Sequence, residues 1–197
     1  MGGLAFLVAL VPIVPLDVAA LAARSTTVEI DEAELRAALV AGKPRAVAFS
    51  PVLDLGDGAT AVAWSECSET SCRGSVATLA GGRPTRRAAL PAPKRVFAVD
   101  GFAFEPPALA DLDGDGSPEI IVHYTVTETP RRALGSIVRE YVAIYSPKDL
   151  KLRFSHELRR AGAESEASCR WTLAVDGARI VAQGGCRQPF AQPKRGR

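Results

Sequence analysis

Asp111, Asp113 and Asp115 stand at alternating positions, Ser117 and Glu119 continue the spacing to a ninth place, and Gly114 and Gly116 fall between them. Carboxylates are hard oxygen donors. A hard divalent cation takes about six to eight oxygens at once, so this spacing reads as a loop that turns successive groups toward one ion. The glycines supply the partly left-handed path that such a loop demands. In that geometry Asp111, Asp113 and Asp115 give side-chain oxygens, Ser117 gives its backbone carbonyl, and Glu119 completes the shell. Calcium is the cofactor expected. An EF-hand would need a bidentate acid at the twelfth position and a helix on each side. That position is Val122, inside the apolar run Ile120-Ile121-Val122, which predicts a strand. Pro118 lacks an N–H and stiffens the loop exit.

Other residues with chemical potential carry less. Asp54-Leu55-Gly56-Asp57-Gly58 echoes the central loop with its acids thinned out; it predicts a turn between strands, and no ion is expected there. His123 and His156 fall on strand-like segments, where a lone histidine is more often a satisfied core residue than a base. No nucleophile elbow, zinc-protease helix motif or phosphate-cradling glycine loop occurs. No catalytic residue is assigned, and the expectation is a protein that is not an enzyme. The competing reading is a hydrolase working through His123 or through the ion of the aspartate cluster.

The elements around the loop follow from pattern. At 197 residues and a net charge of +2, the chain can bury a substantial core and offers no basic field for nucleic acid. Leu4 to Leu16 has the length of a signal-peptide core and is short for a membrane span, and Ala20-Leu21-Ala22 supplies a small-x-small cleavage pattern. Residues 1–22 are therefore expected to be a signal peptide, 24–190 a single β-rich domain, and 191–197 a basic disordered tail. Secretion or periplasmic placement follows, with no stable membrane span after processing. Asp31 to Gly42 reads as the one short N-terminal helix: Asp31 caps it, Glu34 sits as in a capping box, and Gly42 with Pro44 stops it.

Beyond Arg45 the period changes to two. Strands are expected over Arg45–Leu53, Thr60–Glu66, Val76–Ala80, Glu119–Thr127 and Val138–Ser146, with Glu128–Ser136 a connecting loop. A hairpin turn is expected at Asp100-Gly101. Leu150, Leu152, Phe154, His156 and Leu158 alternate with polar residues and should share one buried face. Gly81 to Arg95, rich in Gly, Pro and Arg, reads as a solvated basic loop. Cys67 with Cys72, and Cys169 with Cys186, each flank a hairpin, so local disulfides are expected in an exported protein.

The loop Asp111 to Val122, approached through Phe102-Ala103-Phe104 and Pro107-Ala108-Leu109-Ala110, resembles the FG-GAP and VCBS repeat families, whose blades carry this acidic pattern before an apolar strand. The resemblance implies a β-propeller fold, calcium held by Asp111, Asp113, Asp115, Ser117 and Glu119, and an extracellular binding or adhesion role. Only one good motif is present, and a closed propeller needs several blades. The fold class expected is mainly β, with antiparallel hairpins resembling propeller blades, as an incomplete propeller or a β-sandwich. The function expected is a calcium-binding, non-catalytic binding, adhesion or envelope module whose partner is an unknown protein or surface polymer. A purely structural envelope protein is a further alternative.

Overall fold

Alternation of apolar side chains along the strands decides how the layers stack. The computed structural model describes residues 13–92, 98–129, 135–162, 168–177 and 179–187. The first twelve residues of the expected leader, Lys94 and Arg95 of the basic segment, residues 130–134 of the expected connecting loop and the expected tail at 191–197 lie outside them. In chain order the elements are β1 (Val14–Pro15), α1 (Val18–Arg24), β2 (Thr27–Val28), α2 (Glu32–Leu39), β3 (Ala46–Phe49), β4 (Val52–Gly56), β5 (Ala59–Cys67) and β6 (Cys72–Ala80). They continue with β7 (Arg83–Ala89), β8 (Ala98–Phe104), β9 (Ala108–Ala110), β10 (Glu119–Thr129), β11 (Ile137–Tyr145), β12 (Leu152–Gly162), β13 (Ser168–Asp176) and β14 (Arg179–Arg187).

These strands form two antiparallel sheets. The eight-stranded sheet runs β1-β13-β12-β11-β10-β8, with β14 paired to β13 and β9 to β10. The six-stranded sheet runs β2-β4-β5-β6-β7, with β3 paired to β5. Along β10, Ile120, Val122, Tyr124 and Val126 point to a core shared with Leu53, Ala61, Ala63 and Val76 of the other sheet. The sheets therefore face one another as a β-sandwich. The intervening Ile121 lies on the outer face with Val142, Ile144 and Leu173, under Val18 of α1. On the far side, Val52, Val62, Trp64, Ala77 and Leu79 pack under Leu35 and Leu39 of α2. Each sheet thus carries one short helix on its outer face.

Several expectations are corrected. The propeller-like arrangement is not formed: β10, β11, β12 and β13 join in continuous ladders within one broad sheet instead of separating into blades around an axis. Among the described residues two short helices are present, because Val18–Arg24, most of it within the expected leader, forms α1, with the Asp17 side chain accepting from the Ala20 N–H at 3.0 Å. Within the stretch read as a leader, β1 pairs with β13 and Val18 is buried.

The basic segment is not a loop up to Ala89. Arg83–Ala89 is an edge strand, where Pro84 and exposed arginines are tolerated because one side of the ladder is open. Asp100-Gly101 lies within β8, whose pairing with β10 places Gly101 opposite Thr127, so no hairpin turn forms there. β10 extends through Thr129, past the expected start of the connecting loop. Leu150 departs from the expected alternation. It sits before β12 at φ 52° and joins the inter-sheet core, whereas Phe154 and Leu158 face the α1 side.

Both local disulfides form, Cys67–Cys72 and Cys169–Cys186. Each joins residues that face one another in an antiparallel ladder. α2 starts as read, with the Asp31 carboxylate accepting from the Ala33 N–H at 2.6 Å.

Candidate metal centre

The aspartate loop is the tip of a hairpin. β9 and β10 pair antiparallel, and the last ladder pair before the tip is Ala110 with Glu119. The hairpin is anchored from two sides. The Leu109 N–H donates to Ser25 Oγ at 2.9 Å, tying β9 to the end of α1, and Ala108 packs in the cluster beneath that helix. The tip itself is exposed, so its conformation is set locally.

That local setting is a set of short bonds from backbone N–H groups to aspartate oxygens. Asp111 Oδ1 accepts from Gly114 at 2.8 Å and Asp115 at 3.1 Å, and Asp111 Oδ2 accepts from Gly116 at 3.0 Å. Asp113 Oδ1 accepts from Asp115 at 3.2 Å, and Asp115 Oδ1 from Ser117 at 2.7 Å. Asparagine and aspartate side chains bonding two residues onward are how such turns hold themselves. Gly114 and Gly116 sit at φ 75° and 83°, conformations that a side chain would resist.

The result is convergence. One carboxylate oxygen from each of Asp111, Asp113 and Asp115 lies within 4.8 Å of the other two. Like charges at that range repel, and a divalent cation between them is the natural compensation. The donor set is oxygen alone, which suits calcium, magnesium or manganese and not zinc or copper.

Ser117 lies in the same loop, exposed, with its N–H committed to Asp115. Glu119 is placed differently. It begins β10, is 5% exposed, and accepts from the Leu112 N–H through Oε2 at 3.0 Å. It is not in the converging trio.

A groove of about 380 Å³ opens beside the trio, lined by Leu112, Asp113, Glu119, Arg153, Phe154 and Arg179 among others. Arg153 Nη1 stands 3.8 Å from Asp113 Oδ2, with half of its side chain exposed. Sequence reading does not reach Arg153 or Arg179. They arrive from β12 and β14, and only the tertiary fold brings them to the loop.

The histidines are accounted for separately. His123 Nε2 lies 2.8 Å from Glu140 Oε1 across β10 and β11. His156 packs edge-on against Trp171 with centroids 4.9 Å apart, and its buried Nε2 has no hydrogen-bond partner among the described residues. All four cysteines are in disulfides, so none offers a thiolate.

A second polar cluster, also missed from sequence, lies within the sheet. Arg139 Nε binds Glu128 Oε2 at 2.7 Å and its Nη1 binds Glu157 Oε2 at 3.0 Å, while Arg160 Nε holds Glu157 Oε1 at 2.7 Å. The Tyr141 hydroxyl donates to Glu157 as well, at 3.1 Å. Burial pushes the Glu157 carboxyl up, but the bonds from Arg160 and Arg139 outweigh it and hold the group below the usual glutamate range. Every charge here is paired, which is what burial demands. Charged residues inside strands as apolar as β10 and β11 are the signal that would have pointed to it.

No family model, no curated protein and no solved structure matches this chain. The comparisons therefore give the likeness to FG-GAP and VCBS repeats no support. Among the described residues, no helix is long and apolar enough to cross a membrane.

Proposed function

We propose that this chain is a calcium-binding β-domain in which the ion staples the β9–β10 hairpin, and that the domain serves outside the cytoplasm as a non-catalytic binding or envelope module. The observation that carries the reading is the convergence of the Asp111, Asp113 and Asp115 carboxylates at an exposed hairpin tip. Glu119, buried with one N–H partner among the described residues, adds negative charge behind the trio. The two disulfides support an oxidising compartment, secreted or periplasmic. The partner is read as a protein or surface polymer.

A second reading, metal-dependent hydrolysis, is favoured by one feature. The trio alone would leave positions on a bound ion for water, and the groove with Arg153 and Arg179 adjoins it. A cation held by Asp111, Asp113 and Asp115 would supply an activated water, and Arg153 and Arg179 would supply positive charge for a phosphoester.

Melting curves with calcium, magnesium or chelator, beside phosphoester hydrolysis assays with calcium, magnesium and manganese, separate the two. The structural reading predicts that calcium at tenfold excess over its dissociation constant raises the melting temperature by about 3–5 °C, with no hydrolysis under any metal. Turnover that disappears in Asp113→Ala would replace it with the hydrolytic reading.

A further inference from the structure

Away from the aspartate loop, where β12, β13 and β14 meet, lies a group of cations without a carboxylate partner among the described residues. Register places Arg159 opposite Arg170 across β12 and β13, and Ser168 opposite Arg187 across β13 and β14. Arg170 faces Gly185 on its other side, where the space above the backbone is open. These residues line a cavity of about 400 Å³.

Like charges directly opposite in a ladder repel and need a reason to be there. The neighbouring carboxylates are already taken. Glu157 holds Arg160, the fourth arginine of the cavity, and Glu140, the register partner of Arg159 on β11, holds His123. Arg159, Arg170 and Arg187 are exposed and have no carboxylate partner among the described residues.

The Cys169–Cys186 disulfide ties β13 to β14 at the pair between Arg170–Gly185 and Ser168–Arg187. It fixes the strands that carry two of the three free guanidiniums. Arginine presents a rigid fork of donors that matches tetrahedral oxyanions, and the bonds it makes to them are charge-assisted.

We infer that this cavity binds a phosphate or sulfate group, held by Arg159, Arg170 and Arg187 with the Ser168 hydroxyl as a neutral donor. The cavity recognises the oxygens of the group, whether it is free or an ester on a larger molecule. A dianion relieves the repulsion between Arg159 and Arg170, which a monoanion such as acetate does less well. This site is independent of the cation reading, and its test is run in calcium-free buffer.

Calorimetric titration of the full chain with inorganic phosphate, sulfate and acetate at constant ionic strength tests the inference. Saturable one-to-one binding of phosphate or sulfate, with acetate weak or silent, is expected, and the preferred dianion identifies the ester class. Arg170→Gln and Arg159→Gln should each weaken binding about tenfold, while Arg73→Gln, on an exposed position of β6, should not change it. In phosphate-free buffer both cavity variants should melt no lower than the parent, because each removes a repulsion. Dianion binding no stronger than that of acetate would overturn the inference. Equal loss in Arg73→Gln, or lower melting of both cavity variants in phosphate-free buffer, would also overturn it.

Discussion

Asp111, Asp113 and Asp115 could be read as a cluster because alternate spacing and two glycines leave a short chain few other shapes. The same spacing reads Glu119 as the ninth-place ligand. The register of β10 pairs it with Ala110 and buries its side chain beside the Leu112 N–H. Spacing names the residue, and tertiary pairing sets its surroundings. The same holds for Glu157, an ordinary acid in an alternating strand by sequence, which tertiary pairing makes the hub of a buried network. Its carboxyl titrates below the usual range when folded. The sign follows from that direction: the stability it contributes is present above the unfolded value of about 4.3 and is lost as pH falls through the lower folded value. Glu157→Gln, which leaves Arg139 and Arg160 short of a partner, should cost about 1–3 kcal/mol near neutral pH. Chemical denaturation at several pH values should show that gap closing below about pH 4. A gap that is independent of pH would mean that packing, not charge, holds the cluster.

Among the elements, α2 was legible from Asp31 and its apolar stripe, and most strands from period two. α1 was not, because an apolar, alanine-rich stretch near the start of a chain carries the same signal as a leader. β7 was hidden because Pro84 and its arginines look like loop composition, although an edge strand accepts both. One of those arginines has a specific task. Arg87 donates to the Leu39 carbonyl at 2.9 Å and the Ala38 carbonyl at 2.7 Å, and its guanidinium lies 5.7 Å from the Trp64 ring centroid. It satisfies carbonyls that the end of α2 leaves without helical partners and seats the helix on the six-stranded sheet. Arg87→Ala should therefore destabilise the domain by about 1–2 kcal/mol, with Arg87→Lys recovering part of the loss. Arg86→Ala, next to it on the exposed edge, should be near neutral. Denaturant midpoints of the three variants check this, and equal effects at 86 and 87 would contradict it.

For the molecule as a whole, the two sheets share one core and each outer face is covered by one short helix. Mainly-β architecture was legible because patterning reports the period of each segment. The choice of sandwich over blades was not, because it depends on which strands join across long separations. This arrangement bears on processing. Cleavage after Ala22 would remove β1 and most of α1, uncover Ile121, Val142 and Leu173, and free the anchor that Ser25 gives to β9. Intact-mass analysis after expression of the full sequence separates the outcomes: a start before Val14 keeps β1 and α1, and a start at Ala23 follows from a leader over residues 1–22. A mature start at Ala23 would show that the outer face is covered in some other way. The central claim, a cation held by the aspartate loop, is tested most directly by calorimetric titration of calcium into the full chain beside Asp113→Ala. The account predicts one-to-one binding in the parent, with a dissociation constant of about 10⁻⁴ to 10⁻³ M as in extracellular sites, and none in the variant. No heat at millimolar calcium, together with an unchanged melting temperature, would reduce the loop to a hydrogen-bonded turn.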